Sequence, residues 1–246
     1  DTGFHTTNPD AVELQMFLSK MVKAKCEYCA LEVTSHGLDQ DRVFGVGFDI
    51  GVLTNITHEH LDYHKTFENY RKAKEKLFKK AKISILNKDY AKHIKTNGAR
   101  ILYNSKSLKG DLRNVVSQKF KEEYNHLNAT AAIIACKKIG VDDNKIIRAI
   151  KTFPGVEGRM EEIKNNKGIK IIVDFAHTPN ALENVLKVLK KQLPKGNKLI
   201  AVFGCAGLRD FSKRPLMGEI SGRLSDYTVI TAEDPRTEDL DKIMEQ

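Results

Sequence analysis

Gly51-Val52-Leu53-Thr54-Asn55-Ile56-Thr57-His58-Glu59-His60-Leu61-Asp62-Tyr63-His64 is an apolar run that breaks off into three histidines and two carboxylates. Phe48 to Thr54 predicts a short buried strand, so the polar cluster falls at its C-terminal end, where open α/β sheets place their ligand sites. Imidazoles and carboxylates in that position suit a metal ion or a phosphate. A solvated loop whose histidines merely cap and turn is the alternative.

Outward from this stretch, the next segment predicts a helix from about Phe67 to Lys80 with Tyr70, Ala73, Leu77 and Phe78 on one face. Lys74 shares that face. An ammonium among apolar neighbours either snorkels to solvent or is functional, because a buried unpaired charge is costly. Upstream, Tyr28 to Val33 predicts a strand and Thr34 to Phe44 a loop. Before them Asn8 is a candidate N-cap and Pro9 a first helical residue, with Val12, Leu14, Phe17, Leu18, Met21 and Val22 as a core-facing stripe. Downstream, Ile83 to Leu86 predicts a strand, 87–118 shows no clear period, a helix covers about Asn125 to Ile139, and Asp142 caps another.

Pro154-Gly155 and Gly158 interrupt the pattern and place a domain boundary near residues 155–165, giving domains 1–160 and 161–246. Beyond it strand Ile169 to Val173, helix Ala181 to Lys191, strand Lys198 to Phe203, helix Pro215 to Leu224 and strand Tyr227 to Thr231 form a βαβαβ run. That order predicts a parallel sheet with right-handed crossovers. Each strand ends in a polar or glycine-rich turn: Asp174-Phe175-Ala176-His177-Thr178-Pro179, then Gly204-Cys205-Ala206-Gly207-Leu208-Arg209-Asp210, then Glu233-Asp234-Pro235-Arg236. A row of such loops lines a pocket.

The 246 residues, 41% of them apolar, are enough to bury a substantial core. The net charge of +9 comes from lysines dispersed among acidic residues, so nucleotide phosphates are a sufficient anionic partner and nucleic acid is not expected. No apolar run approaches the roughly 20 residues that span a bilayer, and no signal peptide is visible, which points to a cytoplasmic protein. Cys26, Cys29, Cys136 and Cys205 are expected to be reduced structural thiols, since Cys29 opens a strand where a redox pair would head a helix. The chain starts at Asp1 and stops at Gln246 inside an apparent helix, so we expect a piece of a longer protein.

Several motifs in order carry a family resemblance: Thr6-Thr7, Glu32 to Arg42, Thr54-Asn55 with His60-Leu61-Asp62-Tyr63-His64, Ala73-Lys74, Tyr124 to Asn128, Phe153 to Met160, Asp174 to Pro179, Lys213 to Gly218, and Asp234 to Arg236. Together they resemble the Mur ligases, of the MurE type. The match runs from about residue 5 to the end, apart from the 87–120 region. His-x-His-x-Asp-x-His on its own is also similar to the zinc motif of metallo-β-lactamase-type hydrolases, but Tyr63 separates its last two members and the remaining ligands have no counterpart.

The resemblance implies an α/β fold: a central ATP-binding domain with a largely parallel sheet, then a Rossmann-like, amino-acid-binding C-terminal domain, each truncated at its outer end. It implies an ATP-dependent amide-bond ligase that adds an amino acid, meso-diaminopimelate, to UDP-N-acetylmuramoyl-L-alanyl-D-glutamate (UDP-MurNAc-L-Ala-D-Glu) through an acyl phosphate, as a monomer. Glu32 and His60, with Lys74 as a carbamate, match the magnesium ligands, and Lys74, His60 and Arg159 the catalytic set. Asn128, Arg159, Asp174 and His177 match the nucleotide contacts; Thr6, Thr7, Thr34, Gln40 and Arg42 match the UDP-sugar peptide contacts. Arg209, Glu233, Asp234, Pro235 and Arg236 match positions that recognise the incoming diamino acid. An arginine there suits the second carboxylate of diaminopimelate, although Arg236 has Glu238 and Asp239 as neighbouring partners.

The chain departs from the family pattern at four places. The family's phosphate-binding glycine-rich loop would lie ahead of Asp1, so the 246 residues alone are not expected to ligate. His5 stands where Asn is common, Ala206-Gly207-Leu208 replaces a Gly-Gly-Asp or Gly-Gly-Asn turn, and Glu233-Asp234 replaces Asp-Asn. A nucleotide- or substrate-binding remnant without catalysis, an L-lysine-adding ligase and a folylpolyglutamate-synthetase-like ligase are the other readings.

Overall fold

Strand β1 (Ile50–Leu53) pairs in parallel with β2 (Ile83–Asn87), which pairs in parallel with β3 (Ala99–Tyr103), giving the order β1-β2-β3. The computed structural model describes residues 7–57 and 59–246, and the chain divides into two units at Thr152/Phe153. In the first unit, α1 (Ala11–Lys23), α2 (Ser35–Asp39), α3 (Leu61–His64) and α4 (Phe67–Lys80) surround the first strand, and α5 (Gly110–Lys119), α6 (Glu123–Lys138) and α7 (Asp143–Thr152) follow the third. Both faces of the sheet are covered. Leu53 and Leu86 pack with Tyr70 and Phe78 of α4, whereas Ile85 and Tyr103 pack with Ala131 of α6. That double cover explains why β2 is buried almost throughout, Ser84 and Asn87 included.

The sequence expectation holds closely for β1, α4 and β2 and fails in four places. Helix α1 begins at Ala11 with Asp10 as N-cap, because the Asn8 side chain is engaged elsewhere. Of its expected stripe only Leu14 is buried, with Leu18 packed beside it; Val12 and Val22 are exposed. Tyr28 to Val33 is not a strand, since no described strand lies beside it to complete a ladder. The segment without legible period, 87–118, contains a 3₁₀ turn at Ala91–His93, then β3 and most of α5.

In the second unit, β4 (Glu161–Ile163) and β5 (Ile171–Val173) form an antiparallel hairpin. The parallel βαβαβ expectation is therefore corrected at β5, which pairs back on β4. The cause is local: Asn165 donates to the carbonyls of Ile163 and Ile169 and accepts from the Lys167 amide, closing the turn. Helix α8 (Pro179–Gln192), strand β6 (Ile200–Phe203), helix α9 (Lys213–Leu224) and strand β7 (Tyr227–Ile230) do form a parallel pair, in register Ile200↔Tyr227 to Phe203↔Ile230, and α10 (Leu240–Met244) follows. Leu182 and Leu186 of α8, Ala201 of β6, Met217 of α9 and Ile243 of α10 make the core. On the other face Ile200, Val202, Tyr227 and Val229 are exposed.

One buried carboxylate braces the first unit. Glu75 on α4 accepts from Arg71 and from the Lys95 amide, and Arg71 also donates to the His93 carbonyl, which ties the helix to the turn before β3. The Glu75 side chain is 3% exposed. Arg71→Ala removes the guanidinium and leaves that charge buried, which costs about 3–5 kcal/mol when one partner of a buried pair is deleted. A urea titration should show a correspondingly lower midpoint with an unchanged slope; an unaltered midpoint would mean that Lys79 and the Lys95 amide suffice.

Candidate functional site

The end of β1 is held open by side chains. The Tyr103 hydroxyl donates to the carbonyl of Leu53, the last ladder residue (3.2 Å), and Asn87 to that of Thr54, just beyond it (2.9 Å), so both carbonyls are satisfied where the chain leaves the sheet. It then turns at His60, whose left-handed backbone (φ 57°) caps α3. Three rings converge behind it. The His36 and His60 centroids lie 4.8 Å apart, His64 and Tyr70 5.5 Å, and His60 and Tyr70 6.2 Å. His64 is buried, shares a 3.0 Å hydrogen bond with the Ser35 hydroxyl, and burial lowers its pKa.

Lys74 completes the group. Its Nζ sits 5.1 Å from the Tyr70 ring centroid and forms no ion pair among the described residues. Burial pushes the ammonium below its ordinary pKa, and the charges of Glu59 and Glu32 act in the opposite sense. His60 and Lys74 therefore share the Tyr70 ring, and the Glu32 charge acts on Lys74, although no three His, Cys, Asp or Glu among the described residues are close enough to hold a metal by themselves.

The loop carrying Glu32 to Arg42 is organised by Asn8, which the sequence reading took for a helix cap. Its Oδ1 accepts from the Thr34 amide and hydroxyl (both 2.9 Å), its Nδ2 donates to the Glu32 carbonyl (2.7 Å), and its own carbonyl accepts from Arg42 (2.9 Å). Thr34 in turn caps α2 by accepting from the Gly37 amide. Gly37 has to be glycine, because a Cβ there would lie 2.3 Å from Asn8 Oδ1. Gln40 donates to the Tyr63 hydroxyl, which donates to Asp39. Asp39, Tyr63, His64, Lys65, Lys72 and Lys76 are among the residues around a polar cleft of about 530 Å³. Thr7 is exposed; Thr6, like His5, lies outside the described residues. Asn128 is exposed on α6.

In the second unit Arg159 and His177 meet on one ring. The Arg159 guanidinium lies 4.7 Å from the Phe175 centroid and the His177 ring 4.9 Å from it, while Asp174 accepts from the Met160 amide (2.8 Å). The loops after β6 and β7 are joined: the Gly207 amide donates to the Asp234 carbonyl (2.8 Å), and a Cβ at Gly207 would lie 2.0 Å from the Pro235 carbonyl oxygen. Arg209, Glu233, Asp234 and Arg236 are exposed there, with Pro235 partly covered. Arg236 approaches Asp234 (3.6 Å) rather than Glu238 or Asp239. Glu238 is held by Arg214 and the Leu208 amide, which bring its carboxyl pKa down to about 2.

Strained backbone lies at or beside several of these residues, as well as at Lys25 and Lys65. Left-handed backbone at non-glycine positions occurs at His60, at Asp41 between Gln40 and Arg42, at Met160 beside Arg159, at Leu208 beside Arg209, and at Arg236. Such conformations cost on the order of 1–3 kcal/mol each and persist where the surroundings impose them.

Comparison with known proteins gives the family of the chain. Residues 2–139 match the Mur ligase middle domain and residues 158–246 the Mur ligase glutamate ligase domain. The chain is 40% identical over 266 residues to UDP-N-acetylmuramoyl-L-alanyl-D-glutamate--2,6-diaminopimelate ligase 1 of Clostridium acetobutylicum, covering 98% of this chain and 55% of that protein. With the ligase of the same name from Clostridium botulinum the identity is 40% over 261 residues, covering 96% and 54%. A solved structure of a UDP-N-acetylmuramoyl-L-alanyl-D-glutamate--2,6-diaminopimelate ligase superposes with a TM-score of 0.61 at 32% identity, over 96% of this chain and 54% of that one. The chain spans about half the length of the curated relatives it matches.

Asn8→Ala should show how far the first unit's loop depends on one amide. It strands the Thr34 amide and the Glu32 carbonyl, and an unsatisfied buried polar group costs about 1–3 kcal/mol. Chemical denaturation of the variant should register that loss, with faster proteolysis near residues 32–42; unaltered stability and digestion would mean that water replaces the amide without cost.

Proposed function

The chain belongs to the Mur ligase family, and from that premise we propose that it is the core of an ATP-dependent ligase. Its substrates are UDP-MurNAc-L-Ala-D-Glu and meso-diaminopimelate, joined in peptidoglycan synthesis by a cytoplasmic, monomeric enzyme. Residues 1–160 are the central ATP-binding domain and 161–246 the amino-acid-binding domain. The observation that carries this reading is the meeting of His60 and Lys74 on the Tyr70 ring, with the Glu32 charge acting on Lys74 and with Glu32, Thr34 and Arg42 tied into one loop through Asn8.

Amide formation from a carboxylate needs an activated acyl group, and phosphorylation by ATP supplies it. The residues must gather anionic phosphates and carboxylates and present the amine in line. Thr34, Gln40 and Arg42, with Thr6 and Thr7, hold the UDP-sugar peptide through hydroxyls, an amide and one guanidinium. Arg159 faces the phosphates and is steadied against Phe175; Asn128, Asp174 and His177 complete the nucleotide contacts. Glu32, His60 and Lys74 are the residues that would hold a magnesium ion, which when bound supplies positive charge against the phosphate oxygens.

Lys74 fits that set only after modification, since an ammonium repels a cation. Its burial favours the neutral amine, the form that attacks carbon dioxide: Nζ forms a bond to carbon, one proton leaves to solvent, and a carbamate anion results. The cost of burying the ammonium is replaced by that of a carbamate anion, which a bound cation would offset. Native mass spectrometry of the whole protein carrying this chain, in bicarbonate, should show a labile adduct of one carbon dioxide at Lys74. Lys74→Ala should lower turnover on the order of a hundredfold. Full turnover without bicarbonate dependence would return Lys74 to the snorkelling role.

The amino acid follows from Arg236. Glu238 is already taken by Arg214, and Asp234 is an exposed partner at 3.6 Å whose hold is screened by water, so the Arg236 guanidinium can exchange it for a substrate carboxylate. Diaminopimelate offers one at the far end of its side chain and lysine does not. The missing bidentate pair should weaken lysine by about 10- to 100-fold in kcat/KM. Phosphate release by the whole protein with each amino acid in turn measures this ratio, and equal use of L-lysine would show that Arg236 reads no carboxylate.

A further inference from the structure

We propose that Arg214 and Glu238 are positioning residues for the incoming amino acid: their ion pair clamps together the loops that carry Arg209 and Arg236, and keeps Glu238 away from Arg236. The inference rests on the reading of those two loops as the amino-acid site. Arg214 opens into neither loop; it lies in the first turn of α9, with its side chain 2% exposed. Its NH1 and NH2 donate to the two oxygens of Glu238, each at 2.8 Å, a bidentate pair. NH2 also donates to the Ala206 carbonyl (3.3 Å), NH1 to Gln246 (2.9 Å), and the guanidinium stacks 4.5 Å from the Phe211 centroid. One guanidinium thus fastens the start of the β6 loop, the end of the β7 loop and the chain beyond α10.

Glu238 returns the grip. Its second oxygen also accepts from the Leu208 amide (2.9 Å), and its own amide donates to the Pro235 carbonyl (2.9 Å). Between these fastenings sit the two strained residues, Leu208 and Arg236, each with φ 53°. Without the clamp both would be free to relax, and Arg209 and Arg236 would turn with them.

Stability alone does not account for the pair. A buried ion pair gains little over apolar residues of the same volume once desolvation is counted, and the Arg214 Nε is buried without a partner among the described residues. A second consequence is chemical. Glu238 lies two residues from Arg236, near enough to be its natural partner, and Arg214 is the competitor that occupies it. Deleting Arg214 both loosens the loops and releases a carboxylate to neutralise the arginine meant for the substrate.

The test is steady-state kinetics on the whole protein carrying this chain, with variants Arg214→Met, Glu238→Gln and the double variant, and Arg236→Ala as reference. Arg214→Met should raise the KM for diaminopimelate at least tenfold, leave the KM for ATP within twofold, and narrow the preference for diaminopimelate over lysine. Glu238→Gln, which keeps an acceptor for Arg214, should raise the same KM by a smaller factor. In the double variant the released carboxylate is gone, so part of the Arg214→Met loss should be recovered. A purely structural pair would give lower thermal stability with the KM values for ATP and amino acid moving together, and that result overturns the proposal. So does an unchanged amino-acid KM in both single variants while Arg236→Ala raises it. If Arg236→Ala also leaves that KM unchanged, the reading of the β7 loop itself has failed, and the clamp falls with it by a separate route.

Discussion

Backbone groups that run past the end of a strand have lost their ladder and must find other partners, and this requirement shapes both units. At the end of β1 the partners are Asn87, for the Thr54 carbonyl, and the Tyr103 hydroxyl, for Leu53. Asn8 does the same for Glu32 and Thr34, beside which no strand lies among the described residues. After β6 and β7 the two loops satisfy one another through the Gly207 amide and the Asp234 carbonyl. Each substitute bond fixes a loop at the place where the sheet stops, and the functional side chains project from those fixed loops. The sheet supplies the direction; amides and hydroxyls supply the stiffness.

Stiffness is what the strained residues require. His60, Met160, Leu208 and Arg236 hold left-handed backbone without the freedom of glycine, and each has a nearby contact that keeps it there: the α3 turn, the Asp174 carboxylate, the Glu238 carboxylate, the Asp234 side chain. The energy stored at these points is offset by the buried cores of the two units, around Phe78 and Leu86 in one and Met217 in the other. Preorganised loops of this kind lose little entropy when a ligand arrives.

Much of this was legible in the residues, and the illegible parts share a cause. α4 stood out because a helix packed on one face shows a clear apolar period, β1 and β2 because short apolar stretches stand out between polar segments, and the ordered motifs identified the family that the domain matches bear out. β3 and α5 were obscured by short length and a half-exposed, polar composition. The β4–β5 hairpin was hidden because β4 is only three residues long and falls in the stretch read as the domain boundary. The organising roles of Asn8 and Arg214 had no local signal at all, since their partners lie 26 and 24 residues away. For the same reason Glu238 looked like a partner for its neighbour Arg236, when a buried arginine on another element had the better geometry.

The bare face of the β6–β7 pair has a practical side. Ile200, Val202, Tyr227 and Val229 present two registered rows of apolar side chains to solvent, a surface that water leaves readily. At low ionic strength the net charge of +9 keeps copies of the chain apart. Added salt shortens the reach of that repulsion to about 3 Å at 1 M while leaving the apolar attraction intact. The colloidal behaviour expected of the chain is therefore inverted from that of a protein held in aggregates by ion pairs: dilute buffer should disperse it, and salt should drive it together.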